Sequence, residues 1–211
     1  MTNTLRTTEL IDLAWGAALA SGEDIYAQWT KLSHKLAAPN CRATVAIQNL
    51  GQLDLLLRAL EAEALPAPAM GSLFAAIHRD ILSVSWVLNA YEIVRSLNRT
   101  EKAAAEATGT ARTPGLDDLI TRFALARMPL AKGEIANYSA KKFKPSEPII
   151  MAHKDGSDPR PYVNDGSLLT PRAISAVTGA IVWRVVDLGT DNDVTISRRE
   201  LSDAFLALAA E

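Results

Sequence analysis

One stretch constrains this chain more than any other: Gly71 to Asn98, GSLFAAIHRDILSVSWVLNAYEIVRSLN. Apolar residues recur at Phe74, Ile77, Ile81, Val84, Leu88 and Tyr91, in steps of three and four that stack on one face of a helix. That spacing predicts a buried face. A second row, Trp86, Val87, Ile93, Val94 and Leu97, carries the apolar surface round most of the helix, so several neighbours are expected to pack against it. The remaining stripe, His78, Ser85, Asn89, Glu92 and Ser96, reads as a solvated face rather than as a polar seam against another helix.

The rest of the chain is consistent with a bundle built around this helix. At 211 residues it is long enough to bury about 70% of the surface it exposes unfolded. Its 48% hydrophobic and 22% charged content excludes disorder of the chain as a whole. A net charge of −2 gives no global attraction to nucleic acid or anionic membrane. Cys41 is the only cysteine, which excludes an intramolecular disulfide and fits a reducing cytoplasm. Glu9 and Asp12 interrupt the apolar run near the N-terminus, against a secretory signal, and no run of about 18 uncharged apolar residues suggests a membrane span.

In chain order, Thr7 or Thr8 can cap a short helix that Gly22 ends, and Ser21 with Asp24 can start a second whose stripe is Ile25, Trp29, Leu32 and Leu36, stopped at Pro39-Asn40. His34 lies beside that stripe as a packing or surface residue. From Ala43 to Ala64, Ala46, Leu50, Leu53, Leu57 and Leu60 predict an amphipathic helix, and the prolines of 65–71 a stiff turn. The segment after Asn98, with alanine, charge and glycine but no apolar stripe, reads as a mobile loop. Thr113-Pro114 starts the next helix, with Asp117 and Asp118 at its positive end, and Pro129 is expected to kink it or make it restart. Four or five main helices are expected up to this point.

The texture changes at Lys144, where prolines and Asp-Gly pairs replace helical periodicity. Asn164-Asp165-Gly166 is a turn signal flanked by short apolar runs that read as strand ends, and Thr170-Pro171 is expected to start a short helix ended by Gly179. AIVWRVVD and VTIS, β-branched and aromatic, predict a hairpin over 180–197. Ser197 and Glu200 make a capping box for a last helix that turns Leu201, Phe205 and Leu208 inward. The fold class is therefore mainly α: a multi-helix bundle over 8–143, with a smaller α+β region over 144–211 packed on it and containing the hairpin.

Two groups of residues suggest chemistry. Arg79, Asp80, Tyr91, Glu92 and Arg95 on the central helix, with Arg127 and Lys132 on a later one, place charges on segments that otherwise read as buried. The arrangement resembles HEPN domains, helical bundles of which many are ribonucleases. That resemblance implies nucleic-acid binding or RNA cleavage, with Arg79, Glu92, Arg95 and Arg127 lining a cleft. The family's arginine followed after four to six residues by histidine does not occur here; His34, His78 and His153 lack the upstream arginine. Lys141, Lys142 and Lys144 around Phe143 add a pattern that can grip phosphate, or can simply meet the negative end of a helix dipole.

The second group is DLGTDNDVTISRREL, which resembles the calcium loop of an EF-hand. Asp191, Asp193 and Glu200 fall at ligand positions and Asp187 reaches the first only across two extra residues, while Val194 stands where that loop has glycine. A polar hairpin turn followed by a helix is the preferred reading of these residues. With no catalytic motif and no cofactor expected, the sequence reads as a soluble, cytoplasmic protein-interaction or assembly module. Its partner is expected to be another protein, a second copy of itself, or both, because its apolar faces exceed what one chain can cover.

Overall fold

The computed structural model describes residues 6–37, 41–65, 73–138, 149–151 and 158–209. Six helices lie within them: α1 (Thr7–Ser21), α2 (Glu23–Ala37), α3 (Cys41–Ala62), α4 (Leu73–Thr108), α5 (Leu116–Lys132) and α6 (Arg198–Ala207). Strands β1 (Ile150–Met151) and β2 (Arg160–Pro161) form an antiparallel pair. Strands β3 (Arg172–Ile174), β4 (Ile181–Asp187) and β5 (Asn192–Ser197) form an antiparallel sheet with β4 in the middle. The fold is mainly α with a small C-terminal α+β region. The turn expected at 65–71, beyond Leu65, and Pro39-Asn40, His153 and the lysines Lys141, Lys142 and Lys144 lie outside the described residues.

The core is one continuous cluster shared by the helices and the sheet. Its centre is aromatic: Trp29 of α2 meets Trp86 of α4 edge-on at 6.4 Å and Phe205 of α6 at 5.4 Å, while Phe123 of α5 lies 5.9 Å from Trp86 and 6.3 Å from Phe205. Gly51 of α3 makes room for this group, because a Cβ there would sit 2.5 Å from the Trp29 ring. The sheet joins through Ile181, Trp183 and Val185, which alternate inward along β4, and through Ile196 opposite Trp183.

The central helix is present, but turned differently from the expectation. Trp86, Val87, Ala90, Val94 and Leu97 are buried, whereas Ile77 is 44% and Ile81 53% exposed. Both rows have helical spacing; α3 and α5 pack on the one that carries Trp86, whose indole N–H also donates to the Leu50 carbonyl at 3.1 Å. The polar stripe is solvated, with His78, Asn89, Glu92 and Ser96 exposed.

The segment after Asn98 is helix as far as Thr108 rather than a loop, and only 109–115 is irregular. Its alanine-rich sequence has high helix propensity, so α4 runs on to Thr108 and stops at Gly109, which takes φ +71°. The returning chain is tied back: the Glu101 carboxylate accepts bonds from the Thr113 amide (2.9 Å) and hydroxyl (2.6 Å), and Arg112 bonds Asp117 and Asn98. The bonds from Arg112 hold the Asp117 carboxyl far below the usual carboxylate range. Pro129 does not restart the helix. It lies in the last turn, where only one amide bond is lost, and Gly133 at φ +64° ends α5. Among the described residues 134–138 no helix resumes.

The hairpin over 180–197 is present, with Val185 opposite Val194 and Asp187 opposite Asn192. The short helix expected after Pro171 is instead strand β3, paired with β4 through Arg172–Trp183 and Ile174–Ile181. Sheet pairing outweighed the Thr-Pro start signal, since Arg184 N–H also bonds the Pro171 carbonyl at 3.1 Å. The turn at 164–166 is present, with Gly166 at φ +79°, but Leu168 and Leu169 extend no strand; the Leu168 amide bonds the Gly133 carbonyl at 3.0 Å. The Ser197 hydroxyl makes no capping bond. It is buried without a partner among the described residues, so Ser197→Ala is expected to leave the urea midpoint nearly unchanged.

Gly179 gives a sharper test. Its φ is +70° and a Cβ would lie 2.0 Å from the Glu61 carbonyl oxygen, so α3 and the β3–β4 turn touch backbone to backbone. Gly179→Ala is expected to cost at least about 1–3 kcal/mol in urea unfolding. Gly16→Ala, helical and with nothing within 4 Å, is expected to gain about 0.5–1 kcal/mol.

Candidate functional site

The charged group of the central helix is divided by the structure. Arg79 is buried and donates to the Leu60 carbonyl at 3.3 Å, with its Nε unpartnered among the described residues, and Asp80 pairs with Arg172 of β3. Glu92 lies thirteen residues further on, about 20 Å along the helix axis. There it accepts Arg95 at 2.6 Å and stands 3.8 Å from Arg127, whose guanidinium lies 5.1 Å from the centre of the Tyr91 ring. Glu92, Arg95 and Arg127 are thus together at the surface, Arg79 is apart from them, and Lys132 is exposed at the end of α5. They do not line one cleft.

The acids of the C-terminal loop are engaged separately. The Asp187 carboxylate accepts the Gly189 amide at 2.8 Å and the Thr190 hydroxyl at 3.1 Å, closing the hairpin turn. Asp193 pairs with Arg184 at 2.6 Å, Glu200 lies 3.7 Å from Arg122, and Asp191 is exposed at φ +55°. Among the described residues, no group of three His, Cys, Asp or Glu side chains is placed to hold a metal ion.

The densest polar site sits elsewhere, where α6 meets α3. Asp54, Arg58 and Glu61 recur at helical spacing on α3, below the apolar Ile47 and Leu50. Facing them, α6 presents Arg198, Leu201, Ser202 and Phe205 on one side. The Arg198 guanidinium is fully buried between two fully buried carboxylates: Nη1 bonds Asp54 Oδ1, and Nε bonds Glu61 Oε1 at 2.8 Å. Asp54 also accepts the Trp29 indole N–H at 2.9 Å, the Ser202 hydroxyl at 2.7 Å and Arg58 Nε at 2.7 Å. Glu61 accepts Arg199 at 2.5 Å, and Arg58 reaches Ser202 at 2.9 Å and Asp203 at 2.5 Å. The Arg198 carbon lies 5.5 Å from the centre of the Trp86 ring.

Three carboxylates therefore meet three guanidiniums, which is the condition for burying such charges at all. Burial alone raises the Asp54 pKa; Arg198 and Arg58 beside it outweigh that and hold the carboxyl below its ordinary value. With Arg198, Asp54 and Glu61 closed off from solvent, and Arg58, Arg199 and Asp203 reaching outward from them, the arrangement fixes how α6 seats on α3. It offers no reacting atom to a substrate. The sequence signal for it was the acid-arginine-acid spacing of Asp54, Arg58 and Glu61 inside a leucine stripe.

The exposed counterpart is α1. Only Ala18 of its fifteen residues is buried, while Leu10 is 52%, Ile11 49%, Leu13 61% and Leu19 44% exposed. Beside it, Trp15, Gly16, Leu19, Tyr26, Gln52 and Leu55 line an apolar hollow of about 210 Å³. No helix among the described residues is long and apolar enough to cross a membrane. Compared with protein-family models, with curated proteins and with solved structures, the chain matches none.

Arg198→Met takes the fully buried guanidinium from two buried carboxylates, leaving them only the partly exposed Arg58 and Arg199, and is expected to cost about 3–5 kcal/mol in urea unfolding at neutral pH. Because the folded-state pKa of Asp54 is depressed, its stabilisation is present above about pH 4 and is lost as pH falls through the folded value. Asp54→Asn is thus expected to be less stable at pH 7 and to lose less stability than the wild type on acidification from pH 4 to about pH 2.

Proposed function

We propose that the protein is an interaction and assembly module whose working surface is α1, and that this surface takes a second copy of the same chain. One observation carries the reading: a fifteen-residue helix with four large apolar residues between 44% and 61% exposed and a single buried one. Single exposed leucines are ordinary on a protein surface, but Leu10 and Leu13 adjoin on one side of this helix, with Ile11 and Leu19 exposed on its other sides, and an apolar helix surface left this open marks an interface. A helix of this length is marginal by itself, so such a face gains most from being covered.

The pattern favours self-pairing. Leu10, Leu13, Ala14 and Ala17, spaced three and four apart, share one exposed side of α1 that carries no charge between Thr7 and Ser21. Two such helices packed antiparallel about a two-fold axis near Leu13-Ala14 set Leu10 against Ala17 and Leu13 against Ala14 of the other copy. Large residues then face small ones, as ridges in grooves require, and the interface is self-complementary as a two-fold dimer demands. Asp12 points to another side of the helix, while Glu9, one turn before Leu13 and bonded to the Arg6 amide at 2.7 Å, stands at the edge of this side as its polar rim.

Sedimentation velocity over a range of concentrations tests this. The wild type is expected to move toward twice the chain mass as concentration rises, and Leu13→Glu to stay monomeric with an unchanged circular dichroism spectrum. Mixing Leu13→Glu with Leu13→Lys is expected to restore the dimer, because the two charges then meet near the axis. A wild-type mass that remains monomeric at every concentration, or a Leu13→Glu protein that dimerises as well as the wild type, contradicts the proposal.

A further inference from the structure

The sheet has an open edge on the side of α4. Strand β3 pairs only with β4 among the described residues, and all three of its residues are exposed. Its register fixes which backbone groups are free. The Arg184 amide donates to the Pro171 carbonyl at 3.1 Å and the Ser175 amide to the Ala180 carbonyl at 2.8 Å, so 171–184 and 175–180 are hydrogen-bonded pairs, with Ala173–Val182 between them. Arg172 and Ile174, opposite Trp183 and Ile181, are the alternate pairs, so their N–H and C=O groups turn away from β4 toward the open edge. No backbone group of the described residues bonds to them there.

A wall of α4 stands beside that edge. The Arg172 side chain crosses to Asp80 of α4, and Ile174, two residues on, projects to the same face of the sheet. Ile77, one turn before Asp80, and Val84, one turn after it, share the Asp80 side of the helix, with Ile81 next to them. Ile77 is 44%, Ile81 53% and Ile174 48% exposed, so the sheet leaves this apolar wall uncovered. Projecting charges guard many free edges against pairing, but the one charge on β3 is Arg172, and it is drawn to Asp80. Outward backbone groups two residues apart, about 7 Å along the strand, beside an apolar helix side are what an added strand requires.

We infer that the edge of β3 and the Ile77–Ile81 side of α4 form a docking groove for an extended, uncharged peptide segment of a partner protein, which joins the sheet antiparallel to β3. The occupant is set by the groups it must satisfy. The outward N–H and C=O groups of Arg172 and Ile174 match another extended backbone, whereas a helix or a folded apolar face covers them without pairing them. A second copy presenting its own β3 would bring another Arg172 into the apolar groove, so a segment of different sequence fits better. In the antiparallel arrangement, the peptide residues opposite Arg172 and Ile174 bond to them and also turn their side chains to the same face, toward α4. The same alternate residues thus carry both the hydrogen bonds and the apolar contacts. This groove is separate from α1, which packs on α2 and α3.

The test is titration of the full-length protein with acetyl-Gly-Thr-Val-Thr-Val-Thr-Gly-amide, followed by amide chemical shifts and hydrogen exchange. The peptide is expected to slow exchange of the Arg172 and Ile174 amides saturably and to leave Ala173, already in the ladder with β4, unchanged. N-methylation of both valines removes the donors that face β3 and is expected to abolish binding, whereas N-methylation of the threonines, whose amides face outward, is expected to preserve it. Ile81→Glu, at an exposed position, is expected to weaken binding about tenfold with an unchanged circular dichroism spectrum. Ile174→Pro removes one outward donor without removing a ladder bond to β4 and is expected to weaken binding as well. Absence of saturable protection at Arg172 and Ile174 would overturn the groove. Binding that survives methylation of the valines, or that neither Ile81→Glu nor Ile174→Pro weakens, would overturn it equally.

Discussion

The structure depends on one buried guanidinium. Arg198 begins α6 directly after the last residue of β5, so whatever holds Arg198 positions both the helix and the sheet edge that leads into it. Asp54 and Glu61 hold it from α3, two turns apart. With that end fixed, helical spacing carries Leu201 and Phe205 inward, and the Phe205 ring arrives against Trp29 and Phe123. The contact sets register more than it adds stability, since a buried ion pair must first offset the desolvation of its charges. The net favourable term comes from the aromatic centre it aligns, where each ring removes a large apolar area from water.

The interior and the exterior of this molecule contrast. Inside, Arg198 is held between two carboxylates and rings interlock; outside, α1 and the Ile77–Ile81 edge of α4 leave large aliphatic side chains in water. The same sequence that closes its core so fully leaves a helix nearly uncovered, and this is the physical ground for reading α1 as a surface meant for contact. Nothing in the arrangement of Glu92, Arg95 and Arg127 supplies a comparable argument, because Arg95 and Arg127 are drawn to one carboxylate and Arg127 lies over the Tyr91 ring.

Much of this was legible in the sequence where local rules and tertiary packing agree. The hairpin followed from the β-branched and aromatic density of 181–186 and 194–196, and the inward face of α6 from Leu201, Phe205 and Leu208. Periodicity misled on α4, because two apolar rows both fit a helix and only the neighbours decide which is covered; the row with the large Trp86 was taken by α3 and α5. Composition misled at 99–108, where alanine gives helix without needing an apolar stripe. The Thr-Pro start at 170–171 gave way to edge pairing with β4. Of the site, the spacing of Asp54, Arg58 and Glu61 was visible, but their partner lies more than 130 residues away, and sequence periodicity carries no information across that distance.

If Arg198 ties the C-terminal region into the core, the sheet and the bundle must open as one unit. Native-state hydrogen exchange measures this directly, by comparing amides of β4, such as Trp183 and Val185, with those at the centre of α3, such as Leu50 and Leu57. Equal opening free energies for the two sets, both matching global unfolding and both falling together in Arg198→Met, are the predicted result. Amides of β4 that exchange through a lower-energy opening while α3 stays protected would contradict the account.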